Sequence, residues 1–176
     1  MIKISCDDEF IKNNISSLLY QKKLLSNLNS INKYLFEVKI VNCENNLEFC
    51  LGKKKIFFSL PKNLNEIFEK FLDLISNEKI YIQNNEYYPF KNLIKSNQKN
   101  IYLSEIQNTI ICYLLLYSDT GIKKIDLIKT VWPNDKEIFF NKLDTHLTNL
   151  KNYLNKEGIY DFKFMSKAGI IKLIID

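Results

Sequence analysis

The chain has 176 residues, of which 46% are hydrophobic, so it can bury the cores of one or two small domains. No apolar run is long enough to span a bilayer, and the first ten residues lack the basic and apolar segments of a signal peptide, so we expect a cytoplasmic protein without a membrane partner. The formal net charge of +5 is compatible with an anionic partner. Every basic residue is a lysine, which cannot make the planar two-bonded contact that reads guanine.

The residue types that perform catalysis are sparse and scattered. The four cysteines form no CxxC pair, which predicts free thiols in a reducing compartment; they are Cys6, Cys43, Cys50 and Cys112. His146 is the only histidine, and the sequence contains neither a glycine-rich phosphate loop nor a Ser-His-Asp pattern. We therefore expect no cofactor, no metal ion and no enzymatic activity.

Residues 1–77 predict a small α/β unit in the order strand, helix, strand, strand, helix. MIKISC alternates as a strand, and residues 10–28 form the first predicted helix. YLFEVKIV and KIFFSL are predicted strands, whereas residues 42–55 are interpreted as a turn because they contain Gly52 and three consecutive lysines. Pro61 opens the last helix. Its predicted buried side consists of Leu64, Ile67, Phe68, Phe71, Leu72 and Ile75.

Residues 78–176 form a second predicted domain that begins with an antiparallel meander. The pieces IYIQ, YYPFKNLIK and NIYLS are β-prone and are separated by turn-forming residues. Ser104 and Gln107 then have the spacing of a capping box, and the helix that follows is expected to stop at Gly121. A second helix is predicted through residues 123–132. Its inward residues are expected to be Ile125, Ile128, Val131 and Trp132.

The third helix of this domain is marked by a leucine stripe. Leu143, Leu147, Leu150 and Leu154 recur at helical spacing. The opposite side carries amides and hydroxyls, namely Asn141, Thr145, Thr148, Asn149 and Asn152, flanked by Lys142, His146 and Lys151. Such a polar face suits insertion into a polar groove, although it could also be ordinary solvent surface.

The chain ends in two predicted strands, IYDFKFMS and IIKLII, around a turn at residues 167–169. Three helices followed by a hairpin predict a winged helix-turn-helix. The expected fold class is therefore α+β: a small α/β unit followed by a winged helix-turn-helix domain with an N-terminal antiparallel sheet.

Residues from about Lys79 to the C-terminus resemble the OmpR/PhoB-type winged-helix DNA-binding domain of bacterial response regulators. IYLSEIQNTIICYLLLYSDTGIKKIDLIKTVW is similar to that family's segment Leu-Thr-x-x-Glu, apolar helix, Gly, Leu-x-x-x-Val-Trp. LDTHLTNLKNYL is similar to its recognition helix, usually Asp-x-His-Ile-x-Arg-Leu-Arg-x-x-Leu. The preceding four-stranded meander also belongs to this family.

The resemblance implies double-stranded DNA as the partner. Base edges would be read by Thr145 and Asn149, and the wing would place Lys167 or Lys172 in the minor groove. Phosphates would be held at Trp132, Asn141, Lys142, His146, Thr148 and Lys151, and Asn152 belongs to the same expected interface. The sequence departs from the family where Thr148 and Asn149 replace arginines, and where Gly169 is followed by two isoleucines rather than Gly-Tyr.

The N-terminal half resembles, more weakly, a truncated and degenerate receiver domain. MIKISCDDE is similar to a receiver's first strand with its acidic metal-binding residues, which here could instead be a solvated turn or helix start. Leu60 stands where the receiver lysine is usual, and no aspartate between Asp8 and Asp73 could accept a phosphoryl group. The hypothesis is therefore a phosphorylation-independent transcriptional regulator that forms a homodimer through residues 1–77. The alternative is an interaction module that binds a protein such as RNA polymerase or a partner regulator.

Overall fold

The computed structural model describes residues 2–21, 34–43, 45–60, 63–135 and 139–175. The chain divides into two compact units, Met1–Glu78 and Lys79–Asp176, and each is described here by itself.

The N-terminal unit is a four-stranded sheet with two helices on one face. Its elements are β1 Ile2–Cys6, α1 Glu9–Gln21, β2 Phe36–Cys43, β3 Asn46–Leu51, β4 Lys54–Ser59 and α2 Leu64–Ser76. The strand order is β1-β2-β3-β4; β1 runs parallel to β2, and the remaining pairs are antiparallel. Alternate residues such as Val38, Phe49 and Phe58 are buried together with Ile15 of α1 and Phe71 of α2. The predicted α/β unit is therefore present.

The interpretation of residues 42–55 as a turn is wrong, because β3 lies inside this stretch. Leu47, Phe49 and Leu51 alternate with Glu48 and Cys50, and this period of two places three apolar side chains in the core. The turn itself is only residues 52–53. The asparagines and lysines of this stretch favour a turn, although the alternation of apolar and polar residues in β3 is typical of a strand.

The two helices of this unit begin at side-chain caps. Asp8 accepts a hydrogen bond from the backbone N–H of Ile11, and Asn63 accepts one from Asn65, which caps α2. Leu74 is buried in α2 although the prediction omitted it, and the predicted core residues Leu64 and Leu72 are only half-buried. Pro61 and the predicted helical residues beyond Gln21 lie outside the described residues.

The C-terminal unit begins with the expected meander, β5 Ile80–Ile82, β6 Asn85–Tyr88, β7 Leu93–Ser96 and β8 Lys99–Tyr102, in the order β5-β6-β7-β8. The 3₁₀ helix Pro89–Lys91 lies between β6 and β7. Then follow α3 Glu105–Leu116, β9 Ile122–Lys123, α4 Lys124–Val131, α5 Phe140–Lys156, β10 Lys163–Lys167 and β11 Ile170–Ile174. This is a winged helix-turn-helix preceded by an antiparallel sheet, and the fold class is α+β as predicted.

Local signals in this unit agree with the structure at α3 and α5. Both halves of the predicted capping box at Ser104 and Gln107 are formed, and all four leucines of the α5 stripe are buried. In α4, Ile128 is buried as predicted, whereas Leu127 is an omitted core residue and Trp132 is half-buried. The two-residue strand β9 was not predicted. It pairs with β11 and closes the three-stranded sheet β10-β11-β9.

A buried polar network joins the meander to α3. The Tyr87 hydroxyl donates to Asn108 Oδ1 at 2.5 Å and lies 3.0 Å from Cys112 Sγ. Asn108 in turn donates from Nδ2 to the carbonyl oxygen of Pro89 at 2.9 Å. Burial raises the pKa of the Cys112 thiol to about 12 and that of Tyr87 well above its usual value, so both groups remain protonated.

We expect Tyr87→Phe to lower the free energy of unfolding by about 1–3 kcal/mol, because it leaves the buried Asn108 Oδ1 without its donor. Urea unfolding followed by circular dichroism measures this loss. Tyr102→Phe, which changes an exposed tyrosine in the same sheet, is the matched control and should stay within about 0.5 kcal/mol of the wild type. Equal stability of the two variants would contradict the structural role of the network.

Candidate nucleic-acid interface

The outward face of α5 is polar and exposed along its length. Asn141, Thr145, Thr148, Asn149 and Asn152 are all exposed, on the side opposite the buried leucines. The threonine hydroxyls donate at 2.8 Å to helix carbonyls one turn earlier, Thr145 to Asn141 and Thr148 to Asp144. The side-chain amides of Asn141, Asn149 and Asn152 provide hydrogen-bond donors and acceptors that a ligand can use on this face.

One flank of α5 is a stack built around Trp132, the residue that follows α4. The ring centroids of Trp132 and His146 are 5.1 Å apart, and Lys142 Nζ lies 4.6 Å from the indole ring. Lys142 also forms an ion pair with Asp135 at 2.7 Å. The structure thus brings Trp132, Lys142 and His146 together, and it adds a carboxylate that the sequence-based site did not contain.

The other flank of α5 contains Asp144, which is paired with a lysine of α4, and Lys151. Asp144 accepts from Lys124 Nζ at 2.6 Å, which ties α5 to the start of α4. Lys151 is exposed and has no acidic partner within 4.0 Å among the described residues. The face is therefore mainly neutral and polar, with Lys151 as its clearest free positive charge. The partners Asp135 and Lys124 were missed because they lie 7 and 20 residues from the lysine and aspartate that they pair with.

The two candidate wing lysines occupy different places. Lys167 is exposed at the end of β10, next to the tight turn of Ala168 and Gly169. Lys172 is half-buried in β11 and donates to the backbone oxygen of Asp119 at 2.8 Å. Lys167 is therefore at the tip of the hairpin, whereas Lys172 lies in its middle and is already hydrogen-bonded.

The position of the wing depends on close contact with Gly121. The backbone of Gly121 has a φ of +75°, and a Cβ atom there would lie 2.5 Å from Ile170 Cγ2 and 3.0 Å from the Ile171 carbonyl oxygen. The N–H of Lys124 also donates to the Gly169 carbonyl at 2.8 Å, which satisfies one of the first amides of α4. Gly121 was predicted only as a helix terminator; α3 ends earlier, at Leu116, and the glycine instead admits the wing.

We expect Gly121→Ala to lower the free energy of unfolding by about 1–3 kcal/mol more than Gly158→Ala, as measured by urea denaturation. Both glycines have positive φ, so each substitution carries the same backbone penalty of about 1–2 kcal/mol. Only the Cβ at position 121 meets the wing, whereas nothing lies within 4 Å of one at position 158. Equal losses in the two variants would contradict the proposed wing contact.

No helix in the described ranges is long and apolar enough to cross a membrane. No group of three or more His, Cys, Asp or Glu side chains in the same ranges is arranged to hold a metal ion.

The sequence matches no protein-family model and no curated protein. Among solved structures, the chain is similar to the DNA-binding domain of E. coli CadC, with 14% identity and a TM-score of 0.49 over 57% of this chain and 95% of that one. It is also similar to the C-terminal domain of NsrR, a lantibiotic response regulator for nisin resistance (24% identity, TM-score 0.44, 55% and 96% of the two chains). A third similar structure is the DNA-binding domain of the response regulator AdeR in complex with an intercistronic region, with 15% identity and a TM-score of 0.46 over 56% of this chain and 100% of that one.

Proposed function

We propose that this chain is a DNA-binding transcriptional regulator that inserts α5 into the major groove of double-stranded DNA. The observation that carries the proposal is the orientation of this 17-residue helix: four buried leucines hold one side in the core, which leaves a continuous amide and hydroxyl face exposed. A helix of this kind in a winged helix-turn-helix is the element that enters the groove.

Within this proposal, Thr145 and Asn149 face the base edges. An asparagine amide can bond both N6 and N7 of adenine, and a threonine methyl can touch the thymine methyl, so the expected sequence preference is for A·T pairs. Lys167 at the wing tip would reach the minor groove, whereas Lys172 would have to leave its bond to the Asp119 carbonyl first.

Phosphate contacts would come from the remaining residues of the outward face and from the two flanks of the helix. Asn141, Thr148 and Asn152 supply neutral groups, and His146 with the Trp132 indole adds a second set beside Lys142. The carboxylate of Asp135 compensates Lys142 in the free protein, so a phosphate there must replace or share that partner. Lys151 requires no such exchange, and it is the lysine that we expect to contribute most to the salt dependence of binding.

Fluorescence anisotropy with labelled AT-rich and GC-rich duplexes, repeated over a salt series, tests these assignments. Lys151→Ala should weaken binding to all duplexes alike and lower the slope of log K against log salt by about 1, because one phosphate contact is lost. Asn149→Ala should instead reduce the preference between duplexes by about 1–3 kcal/mol while leaving the salt slope nearly unchanged.

Lys12→Ala is the matched control, since it removes an exposed lysine of α1 in the other unit. Its binding curves should coincide with those of the wild type. Absence of duplex binding by the wild-type chain at low salt would overturn the proposed function, and identical effects of Lys151→Ala and Asn149→Ala would overturn the division between phosphate and base contacts.

We further propose that this regulation does not use aspartyl phosphorylation. The sequence contains no aspartate between Asp8 and Asp73. Both oxygens of the Asp8 side chain also have protein partners: Oδ1 accepts from the N–H of Ile11, and Oδ2 from Asn42 Nδ2. These contacts support a role for Asp8 at the start of α1 rather than in a magnesium site.

The N-terminal unit is proposed to form the homodimer. A dimer would present two copies of α5 to half-sites one helical turn apart.

Half-site spacing tests this dimer. On duplexes that carry two copies of the best-bound sequence, binding should be cooperative when the site centres are 10–11 base pairs apart, about one turn. Insertion of five more base pairs turns the second site to the opposite side of the duplex, so the cooperativity should disappear in a gel-shift titration. Independent binding at both spacings would contradict a dimer of this geometry.

The alternative, a protein-interaction module, is favoured by one observation: Lys142 and Lys124 both have carboxylate partners, which lowers the positive charge around α5. Capture of purified RNA polymerase or a partner regulator at high salt, together with absent duplex binding, would support this alternative.

A further inference from the structure

The outer face of the meander presents a regular array of side chains. Strand register places Tyr81, Glu86, Lys95 and Asn100 in one row across β5 to β8, and Tyr88, Leu93 and Tyr102 in the next row, where Tyr88 and Leu93 are buried and Tyr102 is exposed. The intervening row, which contains Tyr87, Ile94 and Ile101, is buried on the opposite side of the sheet. The first two rows are called the meander face below.

Two tyrosine rings of the meander face are open to solvent. Tyr81 is 65% exposed and Tyr102 is 64% exposed, although large aromatic side chains usually gain free energy from burial. They stand on the two edge strands, β5 and β8, and three strand spacings of about 4.8 Å separate these strands by roughly 14 Å. A chain lying across the sheet can therefore meet both rings.

The space between the rings is positively charged. Three lysines surround the Tyr88 ring, with Nζ atoms 5.0 Å (Lys95), 5.9 Å (Lys79) and 6.0 Å (Lys91) from its centroid. Lys79 Nζ also lies 4.9 Å from the centre of the Tyr81 ring. Glu86 is bonded to Lys79 and to the Tyr88 hydroxyl. Lys95 has no acidic partner within 4.0 Å among the described residues, so its ammonium group keeps its positive charge available to a ligand.

We propose that the meander face binds single-stranded nucleic acid, with Tyr81 and Tyr102 stacking on unpaired bases and the lysines holding the phosphates between them. Exposed aromatic rings beside a basic track are the arrangement by which proteins bind single strands without reading their sequence. The two rings stand on strands roughly 14 Å apart, so one single strand lying across the sheet can place different bases on the two rings.

The occupant follows from the combination of rings and charge. An acidic peptide would satisfy the lysines, but it would leave both exposed tyrosine rings without a planar partner. A duplex offers phosphates, but its base faces are stacked inside the helix and unavailable to a flat sheet. Unpaired bases joined by phosphates match both features, so single-stranded nucleic acid is the ligand chemistry that the face fits best.

The test uses the full chain and a fluorescein-labelled 12-nucleotide oligo-dT in anisotropy titrations. Tyr81→Ala and Tyr102→Ala should each weaken binding about tenfold, because each removes one stacking platform. Tyr81→Phe should retain most of the affinity, since the ring is kept and only the hydroxyl is lost. Lys95→Ala should lower the slope of log K against log salt by about 0.7, the value for one phosphate on a single strand.

Two matched controls separate this site from other surfaces. Tyr160→Ala removes a tyrosine that is 66% exposed but lies outside the meander, and Lys12→Ala removes an exposed lysine of the N-terminal unit. Neither should change the affinity for oligo-dT. An unlabelled polyglutamate peptide of equal charge should compete poorly; competition as strong as that of unlabelled oligo-dT would show that the face selects acidic chains in general and would overturn the proposal.

Parallel titrations with a labelled duplex distinguish this proposal from the proposed function. Loss of oligo-dT binding in Lys151→Ala but not in the meander variants would place single strands on α5 and overturn a separate site. Absent oligo-dT binding by the wild type would also overturn it, whether or not the duplex binds. Absent duplex binding with tyrosine-dependent oligo-dT binding would instead support the meander site and reject the α5 interface.

Discussion

Four leucines determine which side of α5 the protein can offer to a partner. Leu143, Leu147, Leu150 and Leu154 lie along one stripe and are almost completely buried. Burial of each leucine contributes about 1.5–3 kcal/mol, so a rotation of the helix that exposed even part of the stripe would be strongly unfavourable. The direction of the polar face is thus a consequence of core packing, although none of its residues contributes to that core.

An ion pair and a hydrogen bond connect α5 to the elements around it. Lys124 and Asp144 join it to α4 by an ion pair, and the Tyr153 hydroxyl donates to the backbone oxygen of Tyr102 at 3.0 Å in the meander. The ion pair is exposed and contributes little free energy on its own. It instead fixes the position of α5 relative to α4 beside Thr145, which is proposed to face the groove.

Periodicity in the sequence predicts most of this fold. The leucine stripe of α5 and the capping box at Ser104 depend on residues close in sequence, and both are formed. Strand β3 was missed because turn-forming residues at its ends were weighted above the alternation of Leu47, Phe49 and Leu51. Strand β9 has only two residues, and it exists because β11 lies beside it. A pairing between residues this far apart in the sequence produces no local sequence pattern.

Electrostatic partners were less predictable than secondary structure, because charge compensation depends on distances through space. Residues 79–176 contain fourteen lysines and ten acidic residues, so the C-terminal unit carries most of the net positive charge. Near α5 the lysines pair with Asp135 and Asp144, whereas in the meander only Lys79 pairs with Glu86 among the described residues, and Lys79 and Lys95 lie beside the Tyr88 ring. An ammonium group beside a ring gains about 0.5–1 kcal/mol at an exposed site and keeps its full charge for a ligand. In a protein without arginine, the surface with the strongest attraction for phosphates therefore need not be the helix whose sequence resembles a recognition helix.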